Sequence, residues 1–478
     1  MPLTIPFDNS YARLPDQFYA RIGPAPVARP KLVALNESLA QELGIDADEL
    51  RSPAGVAVLS GSAIPDGADP LAQAYAGHQF GGWSPQLGDG RAMLLGEVQD
   101  VNGARQDIQL KGSGRTPFSR GGDGRAWLGP VLREYVVSEA MAALNIPTTR
   151  ALAAVTTGED VMRETALPGA VLTRVASSHI RVGTFQYFAA RQDTEALQAL
   201  TDYTLKRHYP DAETPLELLQ SVITAQARLI ARWMGIGFIH GVMNTDNTHI
   251  GGITIDYGPC AFMDTYHPAR VYSSIDHAGR YAFNQQPEII VWNLAQLATS
   301  LLPLMGDKDT AVKQATEALH GFRDQFLAFW ITEHRAKLGL KRPMAGDDAL
   351  VIDLMDRMAQ GQADFTNTFC ALADGIARDQ FLDPALYDGW HSRWQARLTQ
   401  EGTDWNQQQT LIRATSPALI PRNHRIEQMI EAAVAGDYTP FERLMSAMAQ
   451  PFEDVAEYSD LRRPPTEDEE VKQTFCGT

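Results

Sequence analysis

Cysteine is scarce. The three in 478 residues, Cys260, Cys370 and Cys476, lie far apart, which excludes a disulfide framework and a zinc site built on cysteine spacing. No apolar run approaches the ~20 residues of a membrane-spanning helix. Basic charge is also short: 41 Lys and Arg stand against 58 Asp and Glu, a net charge of −17. A general nucleic-acid binder needs a basic face, so that class is excluded. The first residues, MPLTIPFDNSYARLPDQF, have neither a basic start nor an apolar core and do not read as a secretory signal. A reducing cytoplasm is the expected compartment, with no membrane and no nucleic acid as partner. No Gly-x-x-x-x-Gly-Lys-Ser/Thr motif occurs, and Trp127 stands where a third glycine would complete Gly122-x-Gly124. Neither a P-loop nor a dinucleotide fingerprint is present.

What is there is an ordinary globular composition, 44% hydrophobic and 21% charged, in a chain long enough for several cores. Residues 1–70 read as an N-terminal extension of short helical pieces and proline-rich loops. Residues 71–190 are strand-rich. AMLLGEV and ARQDIQL flank Asn102-Gly103, a hairpin signal, and ALAAVTTGED and GAVLTRVAS read as further strands. Between these pairs, Pro130 opens a helix whose stripe is Leu132, Tyr135, Val136, Ala140, Ala143 and Leu144. Residues 191–450 are mainly helical, with a capping box at Thr214-Pro215-Leu216-Glu217 and Asn423 as the cap of a later helix. Residues 451–478 form an acidic tail expected to be loosely held. The layout is α+β and two-lobed.

Two constellations carry chemistry. Between 111 and 125, Lys111, Arg115, Arg120 and Arg125 are interleaved with five glycines against one acid, Asp123. Cations among glycines suit phosphate, because backbone N–H groups approach closely while the side chains neutralise charge. A solvated basic loop has the same composition. The second is HGVMNTDNTHIGGITIDYGP, residues 240–259. With Gly251-Gly252 as a two-residue turn, Asn247 faces Asp256 across a hairpin, close enough for both to reach one divalent cation. Asp246 points away from that pair and is left for another task. A surface hairpin whose Asn and Asp only favour turns would look alike. His240 and His249 read as structural, Trp127 and Trp233 as core, and Met429, Met445 and Met448 as helix packing.

Lys111 at a strand end, Glu134 on the next helix, an Asp-Asn pair on a loop and then Asp256-Tyr257-Gly258 form the part list of a protein kinase, in kinase order. The chain departs from it in lacking His-Arg-Asp, and in having Asp246 and Asn247 adjacent.

These residues, with YAGHQFGGWSPQLGDGRA (75–92), LKGSGRTPFSRGGDGRAWLGP (110–130) and a cysteine third from the C-terminus, resemble the selenoprotein O (SelO/YdiU) family of protein adenylyltransferases over nearly the whole chain. The resemblance implies a protein-kinase-like fold with ATP bound in an inverted orientation. It implies transfer of AMP to Ser, Thr or Tyr hydroxyls of protein substrates, with auto-modification in scope. Gly88, Gly90, Arg91, Lys111, Asp123, Gly124, Arg174, Arg181 and Asp256 would hold the nucleotide. Asn247 and Asp256 would bind Mg²⁺ or Mn²⁺, Asp246 would accept the proton, and Glu134 would pair with Lys111. UMP transfer from UTP with Mn²⁺ stays open, as do a γ-phosphoryl-transferring kinase and a catalytically silent nucleotide-binding scaffold. The resemblance also raises a Cys260–Cys476 disulfide, with reduced thiols as the expected state because Cys260 falls early for that pairing.

Overall fold

A computed structural model describes residues 5–475. Among these residues twelve strands form, in chain order β1 (Tyr19–Arg21), β2 (Lys31–Leu35), β3 (Leu71–Gln73), β4 (Gly77–Gln79), β5 (Gly82–Ser84), β6 (Ala92–Gln99), β7 (Arg105–Lys111), β8 (Ala126–Trp127), β9 (Arg150–Met162), β10 (Ala166–Ala176), β11 (Phe238–Ile239) and β12 (Ala261–Phe262). Eight make one antiparallel sheet ordered β1-β3-β6-β7-β10-β9-β2, with β8 on β10. β4 pairs with β5, and β11 with β12, as separate two-stranded units. After β10 the chain is mainly helical, so the fold is α+β.

The expected β6–β7 hairpin forms, but its loop runs from Asp100 to Ala104 because Gln99 and Arg105 are the last pair. Asp100 decides this: its Oδ1 accepts from the N–H groups of Asn102 and Ala104, both at 2.9 Å, and Gly103 supplies φ +81°. Two orphan donors are thereby satisfied in a way a two-residue loop does not offer. The sheet is covered on both faces. One face meets the helix Leu128–Ala143, whose Leu132, Tyr135, Val136 and Ala140 are buried as the stripe predicts, and continues into the helical core. The other meets the short helices of residues 37–59 through Leu39, Leu43, Leu50 and Leu59. The helix Pro215–Gly235 begins with the expected capping box, Glu217 N–H to Thr214 Oγ1 at 3.2 Å and Thr214 N–H to Glu217 Oε2 at 3.0 Å. Trp233 is buried and Trp127 packs against the core. Met429 and Met448 are buried in helices, with Met445 partly so.

Three local expectations are corrected. Asn423 is the first residue of its helix rather than the cap. Its amide instead donates to Phe262 O at 2.8 Å and accepts from Phe262 N–H at 3.3 Å, anchoring β12. As far as Phe475 the acidic tail is held, not loose. Pro451 O accepts from the N–H groups of Ala418 and Leu419, Leu461 is buried, and Thr474 pairs with Ser273 while its hydroxyl donates to Pro259 O at 2.6 Å.

The Gly251-Gly252 hairpin does not form, because each arm pairs elsewhere. Thr248 O and Ile250 N–H bond to Val182 and Ile180, and Thr254 bonds to Pro147 and Thr149. These bonds take backbone groups that a hairpin ladder would need, and the glycines close a wider turn in which Gly252 N–H reaches His249 O. Asn247 therefore lies in a 3₁₀ turn, Thr245–Asn247, not opposite Asp256 in a ladder. Among the described residues no helix is long and apolar enough to cross a membrane.

Candidate active site

Period-2 alternation puts Gln109 and Lys111 on the same face of β7. Antiparallel register then places Arg174 of β10 directly opposite Gln109. Arg174 Nη2 and Nε donate to Gln109 Oε1 at 2.6 and 3.2 Å, which fixes the guanidinium plane. Glu134, on the first turns of the helix Leu128–Ala143, receives Lys111 Nζ at 2.6 Å and Arg174 Nη1 at 3.2 Å. The chain continues from β10 to Arg181, the N-cap of the helix Val182–Ala190. An isolated bridge between Arg181 and His249 draws the segment after Asn247 against it.

Asp256 closes the cluster from the helical side. Its Oδ1 takes Lys111 Nζ at 3.0 Å and Arg174 Nη1 at 2.6 Å, and Arg181 Nη2 lies 3.4 Å from Oδ2. Its backbone is left-handed, φ +63°, a conformation Asp tolerates better than most residues. Three cations thus share one carboxylate. Burial raises the Asp256 pKa, but Lys111, Arg174 and Arg181 outweigh it and hold the carboxyl well below its usual range. Arg181 is 2% exposed in its side chain, and its Nε and Nη1 have no hydrogen-bond partner among the described residues. Its guanidinium stacks over Tyr75 at 4.3 Å, and Asp89 lies 3.7 Å away. Two buried unmatched donors on a guanidinium are costly unless an anion takes them.

Asp246 sits beside this cluster, 8% exposed. Burial pushes its carboxyl up to about 6, against the hydrogen bond from Gln79 and the charge of Arg181. Asn247 uses Nδ2 on Val242 O at 2.9 Å, which leaves its amide oxygen for a ligand. Among the described residues, no three His, Cys, Asp or Glu side chains group to hold a metal unaided. Asn247 and Asp256 offer hard oxygen donors of the kind Mg²⁺ takes when it draws its remaining ligands from phosphates and water. The residues fit such a cation on those terms.

The predicted residues divide. Lys111, Glu134, Arg174, Arg181 and Asp256 converge, with Asp246 adjacent. The glycines serve packing: a Cβ on Gly88, at φ +69°, would fall 2.3 Å from Phe118 Cγ, and one on Gly90 would fall 2.8 Å from Phe118 O. The glycine-rich loop therefore folds over the 88–90 turn, with Thr116 Oγ1 donating to Asp89 O at 2.7 Å. Gly124 allows the loop's own closure, since its Cβ would fall 2.1 Å from Gly114 O. Arg91 precedes β6, and its carbonyl accepts from Gly112 N–H. Asp123 lies apart, bound to Arg163 at 2.8 Å and to the Arg125 N–H. Of the four loop cations only Lys111 joins the cluster. Arg115 bonds the Gly121 and Gly122 carbonyls, Arg125 those of Ala25 and Pro26, and Arg120 is exposed.

Asp89, Gln109, Tyr75 and Gln79 were not singled out from the sequence. Gln109 was within reach of period-2 reasoning from Lys111, and Asp89 stands between the two glycines. Tyr75 and Gln79 carry no local signal. His240 and His249 bind backbone carbonyls, Ile255 O and Ser178 O, both at 2.9 Å, as expected of structural histidines. Cys260 is a free, buried thiol pushed up to about 12 by burial. Its partner in the disulfide reading, Cys476, lies outside the described residues.

A family model described as protein adenylyltransferase SelO matches residues 2–449. The chain belongs to the SelO protein adenylyltransferase family. Relatives named protein nucleotidyltransferase YdiU share its full length. That of Ruegeria pomeroyi is 63% identical over 478 residues, covering 100% of both chains. That of Ruegeria sp. (strain TM1040) is 61% identical over 482 residues, and that of Jannaschia sp. (strain CCS1) 60% over 482, each again covering 100% of both chains. The SelO family is the one the motifs resemble, and the five converging residues lie inside the matched span.

Proposed function

We propose that this SelO-family chain is a protein adenylyltransferase on a two-lobed, kinase-like scaffold. It transfers AMP from ATP to Ser, Thr or Tyr hydroxyls of proteins, releases pyrophosphate, and works in the cytoplasm with Mg²⁺ or Mn²⁺. The observation that carries the reading is the deep placement of three cations around Asp256, two of them 2% exposed in their side chains. A triphosphate entering that cluster puts its terminal phosphates innermost, on Lys111, Arg174 and the unmatched nitrogens of Arg181. The α-phosphorus is then outermost, toward Asp246. That order favours attack at the α position over γ-phosphoryl transfer.

The acceptor hydroxyl attacks the α-phosphorus. The new O–P bond forms as the bond to the bridging oxygen breaks, and the electron pair leaves with pyrophosphate. Asp246 takes the hydroxyl proton, a role that rests on geometry first. Lys111, Arg174 and Arg181 stabilise the charge growing on the leaving group, and Glu134 keeps Lys111 and Arg174 aimed. Asn247 and Asp256 would hold the divalent cation, whose chemistry is to offset charge on phosphate oxygens. Gly88 and Gly90 shape the turn beside the nucleotide, while Asp123, Gly124 and Arg91 serve it through the loop. UTP with Mn²⁺ is a second donor compatible with this phosphate-centred grip.

The test uses ATP labelled at the α or at the γ phosphate, a divalent cation and a general protein acceptor. Label from the α position alone, strongly reduced but measurable in Asp246→Asn, is the expected result. Label from the γ position would make the chain a kinase. ATP binding without either transfer would leave a scaffold.

A further inference from the structure

The β4–β5 hairpin is not part of the main sheet, yet it is tied to the loop carrying Asp246. Three consecutive residues of the hairpin each donate one bond to three consecutive loop residues. His78 N–H donates to Thr245 Oγ1 at 2.7 Å, Gln79 Nε2 to Asp246 Oδ2 at 3.2 Å, and Phe80 N–H to Asn244 Oδ1 at 3.1 Å. Tyr281 hydroxyl fixes the same Asn244 oxygen at 2.6 Å. Gly77 backs the other carboxylate oxygen: a Cβ there would fall 2.8 Å from Asp246 Oδ1 and 3.1 Å from Asp246 Cβ. That oxygen is buried with no hydrogen-bond partner among the described residues. Among the described residues Gln79 Nε2 is thus the one side-chain donor to this carboxylate. Phe80 sits at φ +52°, so the hairpin tip is bent to bring these donors onto the loop.

We propose that the β4–β5 hairpin is a clamp for the acceptor-side carboxylate, with Gln79 as a positioning residue that fixes the Asp246 carboxylate plane and Gly77 as the backing that seats it. The inference rests on the adenylyltransferase reading above, since it assigns Gln79 a role through Asp246. Gln79 Nε2 donates to Asp246 and not to the cations that would hold the phosphates, so the clamp governs the chemical step rather than ATP affinity. A carboxylate displaced by about 1 Å costs on the order of a hundredfold in rate.

The experiment measures steady-state transfer of α-label by the full chain, varying ATP at saturating acceptor. It compares wild type, Gln79→Met, Gly77→Ala, Asp246→Asn and the Gln79→Met/Asp246→Asn pair. Methionine keeps the length and bulk of Gln79 and removes only the donor. The expected result is a kcat lower by about tenfold or more in Gln79→Met and Gly77→Ala, with KM for ATP within about twofold of wild type. Gln79→Met should add nothing in the Asp246→Asn background. Wild-type kcat in Gln79→Met overturns the clamp and leaves the adenylyltransferase reading standing. A rise in KM without loss of kcat, or a full additional loss in the Asp246→Asn background, also overturns it, because Gln79 would then act other than through Asp246. Absence of any α-label transfer by wild type removes the reading and the clamp with it.

Discussion

Replacing Asp256 by Asn deletes the one anion that Lys111, Arg174 and Arg181 share, without changing the side chain's size. In the ligand-free protein this leaves the three cations with Glu134, Asp89 and the neighbouring Asp246 carboxyl. Removing one partner of a buried ion pair costs about 3–5 kcal/mol. The Asp256 side chain is 22% exposed, which places the loss at the lower end, about 3 kcal/mol. Unfolding entropy near 2.1 cal/mol/K per residue, over 478 residues, gives about 1 kcal/mol/K. The expected drop in Tm is therefore about 3 °C. ATP without divalent cation should reverse much of it, because its phosphates supply the missing negative charge. For wild type, ATP at a hundredfold excess over Kd adds about 2.7 kcal/mol, or about 3 °C. The variant should shift by about 1 °C more at the same concentration. The assay is thermal unfolding of both proteins in EDTA across an ATP series. A variant that melts with wild type, or an ATP shift smaller than the wild-type one, would refute the view that this carboxylate neutralises a preformed phosphate site.

Gly88→Ala introduces a Cβ at φ +69° and 2.3 Å from Phe118 Cγ. Left-handed strain of about 1–2 kcal/mol and overpacking of about 1–3 kcal/mol should loosen the glycine-rich loop. Limited proteolysis within residues 112–125 should then be faster than in wild type. Arg422 is 1% exposed and bridges Asp264 at 2.5 Å and Asp364 at 2.8 Å. Arg422→Met should destabilise by about 3–5 kcal/mol in urea unfolding, and adding Asp264→Asn and Asp364→Asn should recover at least about half of that. His334 is fully buried, and burial lowers its pKa to about 3. The unfolded chain binds its proton first, so the native state keeps its full stability above about pH 6.5 and loses it as pH falls toward 3. Between pH 7 and 5 this amounts to about 2 kcal/mol, and His334→Gln should flatten the pH dependence of unfolding by about that much.

The parts of the site were legible because they rest on short-range rules. Lys111 follows from its place at a strand end, Glu134 from the helix that comes next, and Asp246, Asn247 and Asp256 from their own motif. The failures came where a segment had a satisfactory local answer and a better distant one. Gly251-Gly252 is a sound two-residue turn, but the arms beside it bond to residues 147–149 and 180–182. Asn423 is a sound helix cap, but its amide is taken by Phe262, 161 residues earlier.

Sequence alone was enough to decide residue chemistry and much of the local form. It set the order of strand lysine, helix glutamate, acid pair and final aspartate. The tertiary structure alone decided which charges meet. Arg174 reaches Asp256 across 82 residues and Gln79 reaches Asp246 across 167, while Arg115 and Arg125 are spent on backbone carbonyls. The reason is energetic. Local propensities differ by a fraction of a kcal/mol per residue, whereas a buried charge or donor left unmatched costs several. Partners for these buried groups are therefore settled only when distant segments pack together.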